Sequence, residues 1–376
     1  MTAAMASRPI VLERPAAIHV GSGTTTEVGR LAATRGVQRA LVIADPFNAR
    51  RLDCLQLSCR TELFSDLPGE PDTGVLEAAR ALADEFRPDL VVGFGGGSAM
   101  DLAKLVAVLV GSEVPVQDIV GVGRTPARHV ALAQVPTTAG TGSEAGTRAL
   151  LTDAQSGAKL AVESPHMLAD LAALDPWMTA TLPPDLTAET GLDALAHCVE
   201  SYTSARAHPA IDVYAREGIR LIGRYLRRAV QQGDDLEART GMALAALYGG
   251  YCLGPVNTTA GHAIAYPLST RLGVPHGRAN AIMFPHALAF NAAAVPERTG
   301  EILSLLGVAA GKNAIFEAVR RFCEEMGLDT RLCETGLRDD ELREMAREAA
   351  AIRRLLDHNP RPITSDDILM MYRAAG

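Results

Sequence analysis

Two residues that can bind a metal ion lie four positions apart in the second half of the chain. The segment GLDALAHCVE, residues 191–200, contains Asp193 and His197. On a helix, side chains at this spacing lie on one face, so the carboxylate and the imidazole can reach a common ion. For a single pair of this kind, a capping aspartate and a packed core histidine are the commoner explanation. The pair alone leaves both interpretations open.

Two further histidines lie in an apolar segment, GHAIAYPLSTRLGVPHG, which covers residues 261–277. Pro267, Gly273 and Pro275 interrupt this segment, so we expect His262 on one helix and His276 at the start of the next. The chain then doubles back, and three helical segments bring four ligands to one site. Oxygen and nitrogen donors of this kind suit Fe²⁺ or Zn²⁺. The predicted metal ligands are Asp193, His197, His262 and His276.

The first half contains a glycine-rich turn in the segment DLVVGFGGGSAMDLAK, residues 89–104. A strand precedes the turn and a helix follows it, so backbone N–H groups and the helix end can cradle a phosphate. A plain tight turn fits the glycines about equally well. A second loop, VPTTAGTGSE at residues 135–144, follows another strand, and two such loops favour a dinucleotide. The predicted cofactor contacts of these loops and the nearby chain are Gly95, Gly96, Gly97, Ser98, Asp101, Thr137, Thr138, Thr141, Ser143 and Lys159.

Asp45 follows the apolar run ALVIA and is a candidate for binding the ribose hydroxyls of a dinucleotide. A helix cap is its other possible role. In the usual Rossmann fingerprint the glycines come first and the acid follows about 20 residues later, whereas here the acid precedes the glycines. The order therefore differs from that fingerprint. Because a carboxylate repels a 2′-phosphate, Asp45 predicts NAD rather than NADP, although NADP stays possible.

The elements that would position these residues change type near Leu182-Pro183-Pro184. Before this point, short β-rich runs such as 40–44 and 90–94 alternate with helical stretches such as 75–86, which indicates βαβ units and a parallel sheet. After it, residues 236–247 and 340–356 carry apolar residues at helical spacing. We predict an α/β nucleotide-binding domain over 1–182 and an all-α domain over 183–376.

Composition excludes several classes of partner. The 376 residues have a formal net charge of −8 and scattered Lys and Arg, which argues against nucleic acid and anionic membranes. The six cysteines form no C-x-x-C pair or dense disulfide framework, and no apolar run approaches the roughly 20 residues that span a bilayer. The first residues contain no hydrophobic signal core. A cytoplasmic protein is expected.

These motifs together resemble the iron-containing, or group III, metal-dependent alcohol dehydrogenases, whose fold is related to that of dehydroquinate synthase. The likeness covers nearly the whole chain and extends to NAIMFPHALAFN at 280–291 and HNPRP at 358–362. It implies that Gly95 to Ser98 hold the NAD(P) pyrophosphate and that Thr137 and Thr138 lie along the nucleotide. It implies a divalent metal at the four predicted ligands and association into homodimers.

One position departs from the family pattern. Many relatives have another histidine four residues after the first ligand of the GH segment, where this chain has Tyr266. Tyrosine has a much higher ordinary pKa than histidine and is a poorer proton relay near neutral pH. We therefore expect Tyr266 to lie in the catalytic site and to shape the substrate pocket instead of relaying a proton.

The resulting hypothesis is an NAD(P) oxidoreductase that interconverts a small alcohol and its aldehyde or ketone by hydride transfer, with the metal as Lewis acid. A metal-free oxidoreductase of the maleylacetate reductase type is the main alternative, and Asp193 argues against it because the relatives have asparagine there. A dehydroquinate synthase-like lyase would need a different ligand set and many phosphate-binding basic residues. A non-catalytic metal-binding module would leave the two glycine loops unexplained.

Overall fold

The computed structural model describes residues 8–67, 69–311, 314–332 and 337–376. Contacts within the chain separate two compact units. One unit is Leu12–Thr181, and the other is Leu182–Gly376, which residues 8–11 join.

The first unit is built on a parallel sheet. Its strands are β1 (Ala17–Val20), β2 (Arg39–Ala44), β3 (Arg60–Phe64), β4 (Leu90–Gly95), β5 (Gly121–Val122), β6 (Ala131–Pro136), β7 (Arg148–Thr152), β8 (Lys159–Glu163) and β9 (Leu171–Leu174). Six of them form one sheet in the order β1-β9-β6-β4-β2-β3, and all neighbouring pairs are parallel. β5, β8 and β7 form a separate small sheet in which β7 and β8 are antiparallel.

Helices cover both faces of the six-stranded sheet. They are α1 (Glu27–Thr34), α2 (Thr73–Phe86), α3 (Gly97–Leu109) and α4 (Pro176–Thr179), with short 3₁₀ helices at Thr24–Thr26, Asn48–Leu55, Val116–Ile119, Ser143–Ala145 and Pro165–Met167. Alternate residues of β2 enter two different cores. Leu41 and Ile43 belong to the core that contains α2 and α3, whereas Val42 packs in the core that contains Val28 of α1. Burial on both faces explains why the strands are continuous apolar runs.

The secondary-structure elements in the described residues of the second unit are all helices. Its helices are α5 (Pro184–Thr203), α6 (Pro209–Gln231), α7 (Leu236–Leu253), α8 (Ala260–Leu272), α9 (His276–Asn291), α10 (Pro296–Leu306), α11 (Ile315–Glu324), α12 (Asp339–Ala351), α13 (Arg353–Leu356) and α14 (Ser365–Ala375). α5 is buried over most of its length because α6, α7 and α9 pack against it. The parallel α/β sheet followed by an all-α part confirms the predicted fold class.

Two sequence expectations for the helical unit need adjustment. Pro267 lies inside α8 without ending it, and the helix continues to Leu272. A proline removes one backbone hydrogen bond, and the buried neighbours of α8 hold the helix across that position. The apolar pattern over 340–356 is two helices, because Ile352 leaves the helical conformation between α12 and α13.

Among the described residues the free thiols are Cys54, Cys59, Cys198, Cys252 and Cys323. Cys333 lies outside the described residues. None of the helices in the described ranges combines the length and the apolar character needed to cross a bilayer.

Candidate metal centre and dinucleotide turn

Three helices of the second unit bring the predicted metal ligands together. Asp193 and His197 lie one turn apart on α5, His262 lies in the first turn of α8, and His276 is the first residue of α9. Pro275 precedes His276 with an extended backbone, so the chain turns immediately before the ligand. The arrangement expected from the interrupted segment is therefore present, with one face of α5 opposite the starts of two helices.

Three imidazoles converge on one carboxylate oxygen of Asp193, although His197 lies outside the group of ligand atoms that are all close to one another. Oδ1 of Asp193 lies 3.7 Å from Nε2 of His197, 3.5 Å from Nε2 of His262 and 3.7 Å from Nε2 of His276. Ligand atoms of Asp193, His262 and His276 all lie within 4.8 Å of one another. Asp193 and His262 are only 3% and 2% exposed, whereas the side chain of His276 is 35% exposed. The cluster is therefore buried on one side and accessible at His276.

The protonation of these groups follows from burial and from their mutual charges. Burial opposes ionisation of Asp193, but the imidazoles, His197 foremost, hold the pKa of its carboxyl well below the usual range. Burial lowers the pKa of His197 to about 4. Burial also disfavours charge on His262, yet the Glu200 charge and the hydrogen bond to Asp193 raise its pKa to about 10. A cation at this point would replace the His262 proton and become the partner of a buried carboxylate.

The residues present fit a divalent cation. One carboxylate and three imidazoles are the oxygen and nitrogen donors that Fe²⁺ and Zn²⁺ accept. A buried anion surrounded by imidazole nitrogens is stable when a positive charge sits between them, either as protons or as a metal ion.

Glu200 orients one of the ligands, and the sequence reasoning did not include it in the site. Its Oε1 lies 2.6 Å from Nδ1 of His262, and its Oε2 accepts from the backbone N–H of Thr259 at 2.6 Å. Although burial opposes charge on Glu200, its His262 and backbone partners keep the pKa of this carboxyl below the usual value. An ionised carboxylate only accepts, so Nδ1 of His262 is the donor and Nε2 faces Asp193.

Two small details show how closely Glu200 is fitted. A Cβ atom at Gly261 would lie 2.6 Å from Oε1 of Glu200, so the glycine of the GH pair leaves the space that the carboxylate fills. Glu200 is also seven residues after Asp193 and three after His197, which places it on the same stripe of α5. That spacing was the available signal for this residue.

Asn280 is a second residue that the sequence reasoning did not include in the site. It lies one turn after His276 on α9, and its Nδ2 donates to Oδ1 of Asp193 at 2.7 Å. The same nitrogen is 3.2 Å from Nε2 of His262 and 3.2 Å from Nε2 of His276. Asn280 lies four residues after His276 on the same helix, and this spacing is the sequence feature that could have identified it as part of the site.

Tyr266 lies against the ligand cluster. Its ring stacks on His276, with centroids 5.8 Å apart and planes at 21°, and meets His262 edge-on at 6.5 Å. The hydroxyl is 3.5 Å from Nη2 of Arg354. These contacts support the prediction that Tyr266 shapes the accessible side of the cluster.

Exchange of Tyr266 for phenylalanine is expected to change kcat by less than about tenfold, because the ring and its stacking are kept. A general acid–base group would contribute about 10²- to 10⁴-fold. Tyr266→Ala, which also removes the ring from His276, should cost more than Tyr266→Phe. Steady-state kinetics on both variants test this. A loss in Tyr266→Phe as large as that from removing a metal ligand would give the hydroxyl an essential role.

In the α/β unit, the glycine-rich turn joins β4 to α3. β4 ends at Gly95, and α3 begins at Gly97 with Gly96 as its N-cap and no side-chain hydrogen bond to the cap. Gly96, Gly97 and Ser98 are partly exposed at this helix end. A Cβ atom at Gly97 would lie 2.7 Å from Cγ2 of Thr141, so the second loop packs directly on the turn. The helix end therefore has free N–H groups that can bind an anion.

The second loop and Asp45 meet the turn through Asn48. The backbone N–H of Thr137 donates to the carbonyl of Gly95 at 2.9 Å. Nδ2 of Asn48 donates to Oγ1 of Thr137 at 3.1 Å and to Oδ2 of Asp45 at 2.5 Å. Oδ1 of Asp45 accepts from the backbone N–H of Asn48 at 3.0 Å, and Asn48 begins the 3₁₀ helix Asn48–Leu55, whose N-cap residue is Phe47. Thr138 faces Gly96, with its Cγ2 3.4 Å from the position of a Cβ.

Three predicted cofactor residues have partners within the protein. Oδ1 of Asp101 accepts from Oγ of Ser143 at 2.5 Å, and its Oδ2 accepts from the backbone N–H of Leu150 at 2.9 Å. The fully buried Lys104 donates to Ser143 at 2.7 Å. These contacts hold the two loops together. Lys159 lies on β8, where its Nζ pairs with Glu70 and Thr152, and its predicted contact with the cofactor stays a prediction.

Comparisons with known proteins agree on one family. Residues 15–176 match the family described as iron-containing alcohol dehydrogenase, and residues 187–376 match its C-terminal domain. Long-chain-alcohol dehydrogenase 1 of Geobacillus thermodenitrificans is 34% identical over 96% of this chain and 95% of its own length.

Solved structures agree in fold with this chain. The crystal structure of a 1,3-propanediol oxidoreductase has a TM-score of 0.92 at 29% identity, covering 98% of this chain and 100% of that one. Sulfoacetaldehyde reductase from Bifidobacterium kashiwanohense, in complex with NAD⁺, has a TM-score of 0.90 at 28% identity, covering 98% and 99%. The matches extend over both units of the chain.

Proposed function

The chain belongs to the iron-containing alcohol dehydrogenase family, and from this premise we propose that it uses NAD and a divalent cation to interconvert a small alcohol and its aldehyde or ketone. Oxidoreduction of alcohols and aldehydes is the activity of the family and of its named relatives. The observation that carries the metal dependence is the meeting of one buried carboxylate and three imidazoles at Asp193.

The proposed cation ligands are Asp193, His197, His262 and His276. Bound there, Fe²⁺ or Zn²⁺ would supply Lewis-acid polarisation of a carbonyl, or stabilisation of an alkoxide. A small substrate would approach from the side of the partly exposed His276, and the ring of Tyr266 limits the space beside it. The carboxylate of Glu200 accepts a hydrogen bond from Nδ1–H of His262 and so holds the proton of the neutral ring on Nδ1. Nε2 of His262 is then free of a proton and can bind a cation.

The α/β unit is the proposed cofactor-binding part. The N-terminus of α3 at Gly96, Gly97 and Ser98 offers N–H groups to a pyrophosphate, and Thr138 lies beside Gly96 on the second loop. Bound there, NAD⁺ would supply the hydride acceptor for alcohol oxidation, and NADH would supply the hydride donor for the reverse reaction. Asp101 and Lys104 act on this site by fixing the loop that carries Ser143.

The test of the function is a panel of small aldehydes and ketones, assayed with NADH and with NADPH. We expect kcat/KM to be at least about tenfold higher with NADH, because a like charge near Asp45 costs several kcal/mol and 1.4 kcal/mol is tenfold. Asp45→Asn keeps an oxygen that can accept from the backbone N–H of Asn48 while it removes the charge. This variant should reduce the difference in kcat/KM between NADH and NADPH. Asp45→Gly should do the same without abolishing turnover.

Two results would contradict this cofactor assignment. Equal kcat/KM values with both cofactors in the unmodified protein would remove the argument from the carboxylate. Asp45→Gly removes the hydrogen bond to the backbone N–H of Asn48, whereas Asp45→Asn can keep it. If only Asp45→Gly lost the preference for NADH, the preference would depend on this hydrogen bond and not on the charge of Asp45. Turnover of no alcohol, aldehyde or ketone with either cofactor would refute the proposed reaction.

The homodimer implied by the family resemblance and the cytoplasmic location expected from the composition stay predictions. Light scattering from the purified protein measures the first. Fractionation of cells that express the chain measures the second.

A further inference from the structure

Asn280 occupies the centre of the ligand cluster. Its Nδ2 is 2.7 Å from Oδ1 of Asp193 and 3.2 Å from Nε2 of both His262 and His276. The residue is 2% exposed. The amide therefore faces the same three atoms that would bind a cation together with His197.

The other end of this amide is unsatisfied. Oδ1 of Asn280 is buried and has no hydrogen-bond partner among the described residues. A buried carbonyl oxygen without a partner is costly. The side chain thus has an unused oxygen donor next to a cluster built for a positive ion.

A cation in the cluster changes which end of the amide is favoured. The –NH₂ group carries the positive end of the amide dipole, and the carbonyl oxygen carries the negative end with two lone pairs. A half-turn of the amide about χ2 exchanges the two atoms and needs no movement of α9. Carbonyl oxygens of asparagine are known ligands of divalent cations.

We propose that Asn280 is a fifth member of the cation site and presents its carbonyl oxygen to the ion bound by Asp193, His197, His262 and His276. The inference rests on the proposed metal dependence and adds a neutral oxygen donor to it. In the metal-free protein the same side chain bridges the ligands through its –NH₂ group. Asn280 thereby keeps the cluster assembled in both states.

The test measures Zn²⁺ binding by chelator-stripped full-length protein, in competition with a chromophoric chelator. Asn280→Ala is expected to weaken Zn²⁺ binding by about 10- to 100-fold, the range seen when a supporting group of a metal site is removed. Asn280→Asp keeps an oxygen in the same place and should bind Zn²⁺ at least as tightly as the unmodified protein. The visible absorption of bound Co²⁺ should also change in Asn280→Ala, because the loss of a donor alters its coordination.

Asn291 provides a matched control on the same helix. It is buried, and its amide exchanges two hydrogen bonds of 2.9 Å with Asn359. Asn291→Ala should leave the Zn²⁺ affinity unchanged. If Asn280→Ala does not fold, Asn280→Leu, which keeps the approximate volume, replaces it, and Asn280→Asp remains the rescue.

The outcomes separate this inference from the metal dependence on which it rests. If the unmodified protein does not bind Zn²⁺, Co²⁺ or Fe²⁺, the proposed metal site is wrong. If it does, and Asn280→Ala binds Zn²⁺ as tightly or more tightly with unchanged Co²⁺ absorption, the inference about Asn280 alone is overturned. In that case the amide only bridges Asp193 and the histidines of the metal-free protein.

Discussion

Replacing His262 or His276 with alanine is expected to remove the bound divalent cation and nearly all turnover, while NAD binding is kept. Each variant leaves Asp193 and two imidazoles, and this incomplete ligand set lowers both metal affinity and Lewis acidity. Polarisation by a metal ion is worth several kcal/mol, and each 1.4 kcal/mol is tenfold in rate. We therefore expect kcat to fall by at least about 100-fold.

The measurements are metal content after gel filtration, kcat, and NADH binding by fluorescence. His286→Ala is the matched control, because His286 is a buried histidine of α9 whose ring packs on Phe316 instead of the cluster. It should keep both metal and turnover. NADH binding serves as the control for His262→Ala and His276→Ala, since the glycine-rich turn belongs to the other unit of the chain.

Metal removal from the unmodified protein gives the same prediction without a mutation. Chelation should abolish turnover, and addition of Fe²⁺, Zn²⁺, Mn²⁺ or Co²⁺ without air should show which ions restore it. A thoroughly metal-free preparation with full turnover would refute the metal-dependent mechanism. It would favour the metal-free, maleylacetate reductase type of reaction, in which side chains alone polarise the substrate.

The ligand positions could be predicted because local rules determine them. The four-residue separation of Asp193 and His197 places both on one face of a helix, whatever packs around it. Pro275 cannot continue a helix from its N-terminal side, so His276 was expected at a helix start. The parallel sheet was likewise predictable from apolar runs at 40–44 and 90–94.

The residues that support the ligands could not be assigned in the same way. Glu200 and Asn280 have the right spacing, but their roles depend on contacts between different helices. Glu200 on α5 acts on His262 of α8, and Asn280 on α9 acts on Asp193 of α5. A helical pattern gives the face on which a side chain lies and not the neighbour that this face meets.

The glycine loops show a similar limit. The position of Gly97 between a strand and a helix predicts that it contacts the cofactor. Its close approach to Thr141 could not be predicted in this way, because it depends on how the second loop packs on the turn. Asp101 and Ser143 both come from recognisable motifs, yet they bond to each other across the two loops. Motifs name the residues of such a site, whereas packing decides which residues face a ligand and which hold the loops in place.

The second large effect is expected from Glu200→Gln, which should weaken metal binding by about 10- to 100-fold without removing a ligand. Oε2 of Glu200 accepts from the backbone N–H groups of Thr259 and His262 at 2.6 and 3.3 Å. In the variant, the amide oxygen has to take that side to keep these bonds. The –NH₂ group then faces Nδ1 of His262.

That orientation favours the tautomer of His262 that cannot bind a cation through Nε2. An –NH₂ group donates, so Nδ1 must become an acceptor and the proton of the neutral ring moves to Nε2. Nε2 is the atom that faces Asp193 and the proposed cation. A protonated Nε2 has no lone pair for a metal, so the variant must break a buried hydrogen bond before it can bind one.

Zn²⁺ affinity and kcat of Glu200→Gln, measured at saturating and at limiting Zn²⁺, test this argument. Much of the lost turnover should return when Zn²⁺ is saturating, because the ligands themselves are intact. Glu301→Gln is the control, since Glu301 accepts a hydrogen bond from Tyr202 on the same α5 helix and does not contact His262. A Glu200→Gln variant with unchanged Zn²⁺ affinity and normal thermal stability would show that His262 is oriented by the helix alone, and the role assigned to the carboxylate would be wrong.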